Sequence, residues 1–251
     1  MTDMNLIARS RRIAMLVDGD NAQATLIDKM LIEVSKYGTV IIRRVYGDWT
    51  ESAMNTWKTI LRDHALQPIQ QFRNTTGKNA TDSALIIDAM DLLHQEIADC
   101  FCIASSDSDF TRLATRLRES GRFVIGIGRK QTPTAFQRAC DVFVYTENLQ
   151  PEAVESVVPP AKSSAGGVKP TPAVAKENVQ DALPLLKQAF EVAVQDNGVA
   201  LLSAVGNALS QANPGFDSRT YGYKRLGLLI EALSAYFELD ENSMYVRARV
   251  T

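Results

Sequence analysis

Apolar residues along the first 150 positions fall into short runs separated by longer amphipathic stretches. The runs IAMLV (13–17), VIIRRVY (40–46), PIQQF (68–72), CFCIAS (100–105), FVIGIG (123–128) and VFVYT (142–146) have the length of strands. Several lack polar alternation, as expected of parallel strands covered on both faces. Helical periodicity between them predicts helices near 22–36, 52–65, 80–96, 109–119 and 133–138. Strands spaced by helices define an α/β parallel sheet with right-handed crossovers over residues 1–150.

The pattern stops at 151–178, where Pro, Ala, Gly, Ser and Lys dominate and no periodicity survives. This composition predicts a flexible linker. Periodicity resumes over 179–251. VQDALPLLKQAFEVAVQ, ALLSAVGNALSQ and YGYKRLGLLIEALSAY read as three amphipathic helices, and FELD and MYVRARV as two strands around a turn. Three helices and a hairpin are the plan of a small winged-helix α+β domain.

Composition excludes some classes and leaves others open. Net charge is −2, with 18 basic and 18 acidic residues in 1–150 and 6 basic against 8 acidic in 181–251. A polyanion must therefore be met by a local patch and not by the field of the whole chain. No apolar run has membrane-spanning length, and the N-terminal basic cluster lacks a following apolar core. These features predict a cytoplasmic protein with no membrane partner. Cys100, Cys102 and Cys140 suit small buried core positions and not a disulfide framework.

The candidate chemistry is acidic. Asp18, Asp20 and Asn21 follow the first strand directly, and Asp107 and Asp109 follow the strand at 100–105. Open α/β sheets bind ligands at the carboxyl ends of their strands, so two strands deliver carboxylates to one edge. Asp82 opens the helix predicted from 80, on a stripe shared with Ile86, Ala89 and Leu93 that is expected to face the sheet. Asp88 lies about 240° away around that helix and is expected to be solvated. Two unit charges at ~4 Å repel by about 4 kcal/mol at an effective dielectric of ~20. A hard divalent cation, Mg²⁺ or Mn²⁺, resolves that repulsion, and phosphodiester chemistry at such a site needs neither His nor Cys. Ordinary structure also accounts for single members. Asp18 suits a strand-end turn, Asp107 a helix cap, and Asp82 and Asp109 a helix dipole.

The blocks AMLVDGDNA, YGDW, GKNATDSALIIDAMDLL, IASSDSDFTRLATRLRESGRFVIGIG and TPTAFQRACDVFVY resemble the NYN domain of the PIN-like nuclease superfamily, in its LabA-like branch. The resemblance runs over nearly all of 10–148. It implies a parallel α/β fold, an Mg²⁺- or Mn²⁺-binding acidic pocket and metal-dependent ribonuclease activity. It carries the acidic positions onto Asp18, Asp82, Asp107 and Asp109, with Asn21 beside the first and Asp20 facing away. The approach to the helix acid, TTGKNATD, departs from the glycine- and lysine-rich form of many relatives but keeps Lys78. FDSRTYGYKRLGLLIEAL followed by FELD resembles the LOTUS (OST-HTH) domain, which implies RNA binding, including structured or G-rich RNA, and protein partners.

Together these point to a metal-dependent ribonuclease with a tethered RNA-binding domain. Backbone-contact candidates are Arg43, Arg44, Arg73, Lys78, Arg129 and Lys130 in the first unit. In the second they are Tyr221, Tyr223, Lys224 and Arg225, placed at the start of the third helix, and Arg247 and Arg249 on the last strand. Phosphate suits a helix N-terminus and bases suit aromatic faces. Core packing for the tyrosines, and a solvated edge for the two arginines, are the alternatives. A linker of some 28 residues spans roughly 30 Å, which holds the second domain at an effective millimolar concentration. A non-catalytic RNA-binding adaptor is the competing reading. A phosphatase using the DGDN motif is a third, and it would leave Asp82 idle.

Overall fold

The computed structural model describes residues 11–72, 80–150, 177–195, 197–240 and 242–249. The predicted linker, apart from its last two residues, and the candidates Arg73 and Lys78 lie outside the described residues.

Six strands form one parallel sheet: β1 (Arg12–Asp18), β2 (Thr39–Gly47), β3 (Gln67–Gln70), β4 (Cys100–Ala104), β5 (Phe123–Gly128) and β6 (Val142–Tyr145). Their order is β3-β2-β1-β4-β5-β6. The helices between them are α1 (Ile27–Ser35), α2 (Asn55–Asp63), α3 (Ala80–His94), α4 (Thr111–Glu119) and α5 (Thr134–Ala139). Alternation along β1 separates two cores. Ile13, Met15 and Val17 pack with Met30 and Val34 of α1 and Trp57 of α2. Ala14 and Leu16 pack with Leu85 and Ala89 of α3, Leu117 of α4 and Phe136 of α5. Burial on both faces is why the strands read as near-continuous apolar runs.

The chain winds from β1 outward to β3, then returns through α3 to β4 and winds the other way. The order reverses between β1 and β4, and the ends of these two strands flank a crevice. Cys100 and Cys102 share the α1 face, as their spacing predicts, and Cys140 lies in the other core. All three thiols are free and buried, and burial pushes those of Cys100 and Cys140 up to about 12.

Residues 177–249 form the second domain. A short turn at Val179–Ala182 leads into α6 (Leu183–Ala193), followed by β7 (Val199–Leu201), α7 (Leu202–Ala212), α8 (Leu226–Ala232), β8 (Phe237–Leu239) and β9 (Tyr245–Ala248). The strands form an antiparallel sheet in the order β7-β9-β8. Leu186, Phe190, Leu209, Ile230 and Phe237 are among its core residues.

Two expectations are corrected here. The third helix does not begin at Tyr221. A tight turn at Ser218–Tyr221 ends on Gly222 in the left-handed region (φ 87°), Arg225 is extended, and α8 starts one residue later. The unforeseen β7 makes β9 the middle strand, so Arg247 does not lie on a sheet edge.

Candidate metal centre

Asp18 ends β1 on the α3 face of the sheet, in register with Tyr46 of β2, and is almost wholly buried. The chain then turns at Gly19, whose N–H donates to the Tyr46 carbonyl at 2.8 Å. A Cβ at this position would come within 2.7 Å of that same carbonyl oxygen. The turn brings Asn21 back over Asp18, and its Nδ2 donates to Asp18 Oδ2 at 2.7 Å. Ser105, just beyond β4, donates through Oγ to the same oxygen at 2.7 Å. The backbone N–H groups of Asp20 and Asn21 donate to Oδ1 at 3.1 and 3.3 Å. Burial raises the Asp18 carboxyl above its ordinary range, and the bonds from Asn21 and Ser105 oppose that shift.

Ser105 also accepts from the Asp107 N–H at 3.0 Å, which ties the β4–α4 loop to the end of β1. Asp107 in turn caps the short turn Ser108–Phe110, accepting the Asp109 N–H at 2.9 Å. This is the capping role weighed for Asp107, and it leaves the rest of the carboxylate facing α3.

Asp82 stands in the first turn of α3. Carboxylate oxygens of Asp82, Asp107 and Asp109 all lie within 4.8 Å of one another. Burial, then repulsion by Asp18, Asp107, Asp109 and Asp20, pushes the Asp82 carboxyl up to about 6. The predicted acids of β1, α3 and the β4–α4 loop are therefore brought to one place. Asp18 lies behind the other three, held in a layer of hydrogen bonds. The group is dense in hard oxygen donors, and that donor set fits Mg²⁺ or Mn²⁺.

Two site expectations change and one holds. Asp20 does not face away, because its Oδ2 accepts from Thr81 Oγ1 of α3 at 3.3 Å and its charge reaches Asp82. The stripe expected on α3 does face the core: Ala89 and Leu93 are buried there beside Leu85 and Leu92, and Ile86 packs against them, with Asp82 in the first turn of that face. Asp88 is not solvated. It accepts from Arg44 Nη1 at 3.0 Å and from the buried Tyr46 hydroxyl at 2.8 Å. Sequence reasoning passed over Ser105 and Thr81. The only signal for Ser105 was its place beside the acidic block, at the end of a strand.

The basic candidates separate by what already holds them. Arg44 is paired with Asp88, and Arg43 donates to the His64 carbonyl at 3.2 Å. The Lys130 ammonium meets Glu177 at 3.2 Å, whereas Arg129 is exposed at the end of β5. In the second domain Tyr221 is packed against Phe216, with ring centroids 5.9 Å apart, and Tyr223 is half-buried. Lys224, Arg225, Arg247 and Arg249 are exposed, and Arg249 lies 4.0 Å from Glu238.

A doubly covered parallel sheet with carboxylates at its switch point is the architecture of a PIN-like α/β protein. Residues 12–149 match the NYN domain and residues 175–245 match the OST-HTH/LOTUS domain. The chain belongs to the NYN domain family and carries a C-terminal LOTUS domain. Uncharacterized protein MJ0482 of Methanocaldococcus jannaschii is 26% identical over 140 residues, covering 53% of this chain. The match takes in 54% of that protein, so the chain spans about half the length of this curated relative. Among solved structures, a protein of unknown function, VPA0982 from Vibrio parahaemolyticus, is 18% identical with a TM-score of 0.46, covering 55% of this chain and 93% of that one. An uncharacterized protein from gene locus NE0665 of Nitrosomonas europaea is 30% identical with a TM-score of 0.26, covering 36% and 94%. Among the described residues, no helix is long and apolar enough to cross a membrane.

Proposed function

We propose that the protein is a metal-dependent ribonuclease. The observation that carries this reading is the convergence of Asp82, Asp107 and Asp109, with Asp82 raised to about 6 by burial and then by its acidic neighbours. Asp82, Asp107 and Asp109 would hold Mg²⁺ or Mn²⁺, with Asp18 completing the acidic set. A divalent ion in such a set lowers the pKa of water and offsets charge on the leaving oxygen of a phosphodiester. The chain's own residues prepare the place. Asn21 and Ser105 fix the rotamer of Asp18, and the Asp107 cap fixes the loop that carries Asp109. Thr81 joins Asp20 to the start of α3, so the β1 turn and the helix acid keep one spacing. RNA is bound through the LOTUS domain, with Lys224, Arg225, Arg247 and Arg249 as the exposed cations, and Arg129 contacts backbone beside the crevice.

The test is cleavage of labelled single-stranded and hairpin RNA with Mn²⁺ or Mg²⁺, wild type beside Asp18→Asn and Asp82→Asn. Cleavage by the wild type alone is expected. Intact RNA in every lane, or equal cleavage by both variants, overturns the reading.

One observation favours a non-catalytic RNA adaptor. Asp18 and Asp107 both perform structural work, in the β1 turn and in the loop cap. RNA bound by the full chain but never cut, under any divalent metal, is the result that reading requires.

A further inference from the structure

The LOTUS domain sits against the NYN domain, and the contact has an unusual make-up. Among the described residues, no apolar cluster spans the two domains: two clusters lie wholly in the first and one wholly in the second. The bonds between them are polar. Arg219 directs Nη1 and Nη2 at Glu33 Oε2 and Oε1, at 3.0 and 3.2 Å. Asn148 Nδ2 donates to Thr220 Oγ1 at 3.0 Å, Lys130 Nζ to Glu177 at 3.2 Å, and the Phe143 N–H on the outer edge of β6 to the Pro214 carbonyl at 2.8 Å. A gap of about 170 Å³ remains between the domains, lined by Tyr145, Arg138, Phe216 and Tyr221 among others.

We infer that this contact is a releasable dock latched by Arg219 on Glu33, and that RNA phosphate competes with Glu33 for the same guanidinium. Three observations carry it. First, a polar, imperfectly filled interface has the character of a transient one, and motion between such domains is the default. Second, the chain does not oppose release. Glu147 accepts from the Lys130 N–H while Glu177 accepts from its ammonium, so the two ends of segment 151–176 are held by one residue. Its 26 residues could reach about 90 Å when extended, so the domain can leave without straining the connection. Third, the latch presents chemistry that suits phosphate. Asp217 holds the Nε edge of Arg219 at 2.9–3.0 Å, which aims the outer fork at Glu33. A planar fork that pairs with carboxylate pairs equally with a phosphate. Arg219 also belongs to SRTYGYKR, the stretch that holds Lys224 and Arg225. Undocking therefore exposes the outer fork of Arg219, which stays paired with Asp217 through Nε and Nη2, beside those two cations, while Glu33, nearly buried when docked, becomes solvated.

The competition rests on the RNA-binding reading of this domain, and the latch does not. The test uses the full chain in EDTA, so cleavage plays no part. Small-angle scattering at about 0.05 M and about 1 M salt reads compactness, since salt at the higher value screens beyond ~3 Å. Fluorescence anisotropy with a labelled single-stranded oligoribonucleotide reads affinity. The wild type should be compact at low salt and expand at high salt, whereas Glu33→Gln and Arg219→Gln should be expanded already at low salt. Glu33→Gln should bind RNA more tightly, by up to about tenfold if one molecule in ten is undocked in the wild type. Arg219→Gln should open the dock without that gain. A Glu33→Gln protein as compact as wild type at both salts overturns the latch. Unchanged affinity in an opened Glu33→Gln protein, or an equal gain in Arg219→Gln, overturns the competition. If RNA binds none of the three, the competition falls with the RNA reading, and scattering still decides the latch. Should Glu33→Gln fail to fold, Glu33→Asp, which keeps the charge but shortens its reach to Arg219, takes its place in both measurements.

Discussion

Asp82 is the residue where function and stability oppose each other most directly. Its carboxyl is raised to about 6 from 3.8, so the folded protein without metal holds a proton there that the unfolded chain releases earlier. The stabilising contribution is complete below the unfolded value and is lost as pH rises through about 6. Thermal melts in EDTA should therefore fall over that window, and Asp82→Asn should flatten the fall and melt higher near neutral pH. Millimolar Mn²⁺ should raise the melting temperature of the wild type and leave that of the variant unmoved. A second residue prediction concerns Ser105, whose hydroxyl serves Asp18 and the Asp107 N–H together. Ser105→Ala leaves a buried carboxylate one donor short, and urea unfolding should show a loss of about 1–3 kcal/mol.

At the scale of elements, α3 is the piece whose placement matters most, because it alone brings Asp82 to acids delivered by strands. Its apolar stripe seats it on β1 and β2, but a stripe leaves the helix free to roll. The pair made by Asp88 with Tyr46 and Arg44 removes that freedom from the β2 side. Tyr46→Phe deletes one hydroxyl at constant shape and should cost about 1–3 kcal/mol by urea unfolding, as a lost bond to a charged group does. In the second domain, Gly222 closes the turn before α8 with φ 87°. Gly222→Ala should lower that domain's stability by about 1–2 kcal/mol, read from its own thermal transition.

The elements themselves were legible because periodicity and burial share one cause. Strands covered on both faces are apolar throughout, and every predicted strand of the first domain lies within two residues of an observed one. β7 has three residues, too few to carry a period. The start of α8 was hidden because Tyr221 and Tyr223 continue the apolar pattern across a turn that only the backbone reveals. The acids at the ends of β1 and β4 could be found because strand ends in such sheets converge on one edge. Ser105 and Thr81 could not, since a hydroxyl at a strand end or in a helix's first turn has the same sequence signature whether it holds a carboxylate or faces water. Asp88 was misjudged for a related reason: helical phase gives direction from the helix axis, not the identity of the neighbouring strand's side chains.

For the whole molecule, the least legible feature was the contact between its halves. Glu33 and Arg219 stand 186 positions apart, and although Arg219 lies in the stretch that resembles the LOTUS domain, nothing in the chain announces that they meet. The composition of the linker pointed to a free tether, and the structure adds a seat for the domain that the tether carries.

The arrangement at Lys130 has a consequence for the chain as a covalent object. That residue grips Glu147 before the connecting segment and Glu177 after it, so the two halves meet where the backbone could be interrupted. The molecule is in this sense already a complementing pair of fragments joined for convenience. A single protease site placed within residues 151–176 should, once cut, give two pieces that elute together from a sizing column at low salt and separately at high salt. Expressed as two polypeptides, residues 1–150 and 177–251 should find each other in the same salt-dependent way, at concentrations far above those the intact chain requires.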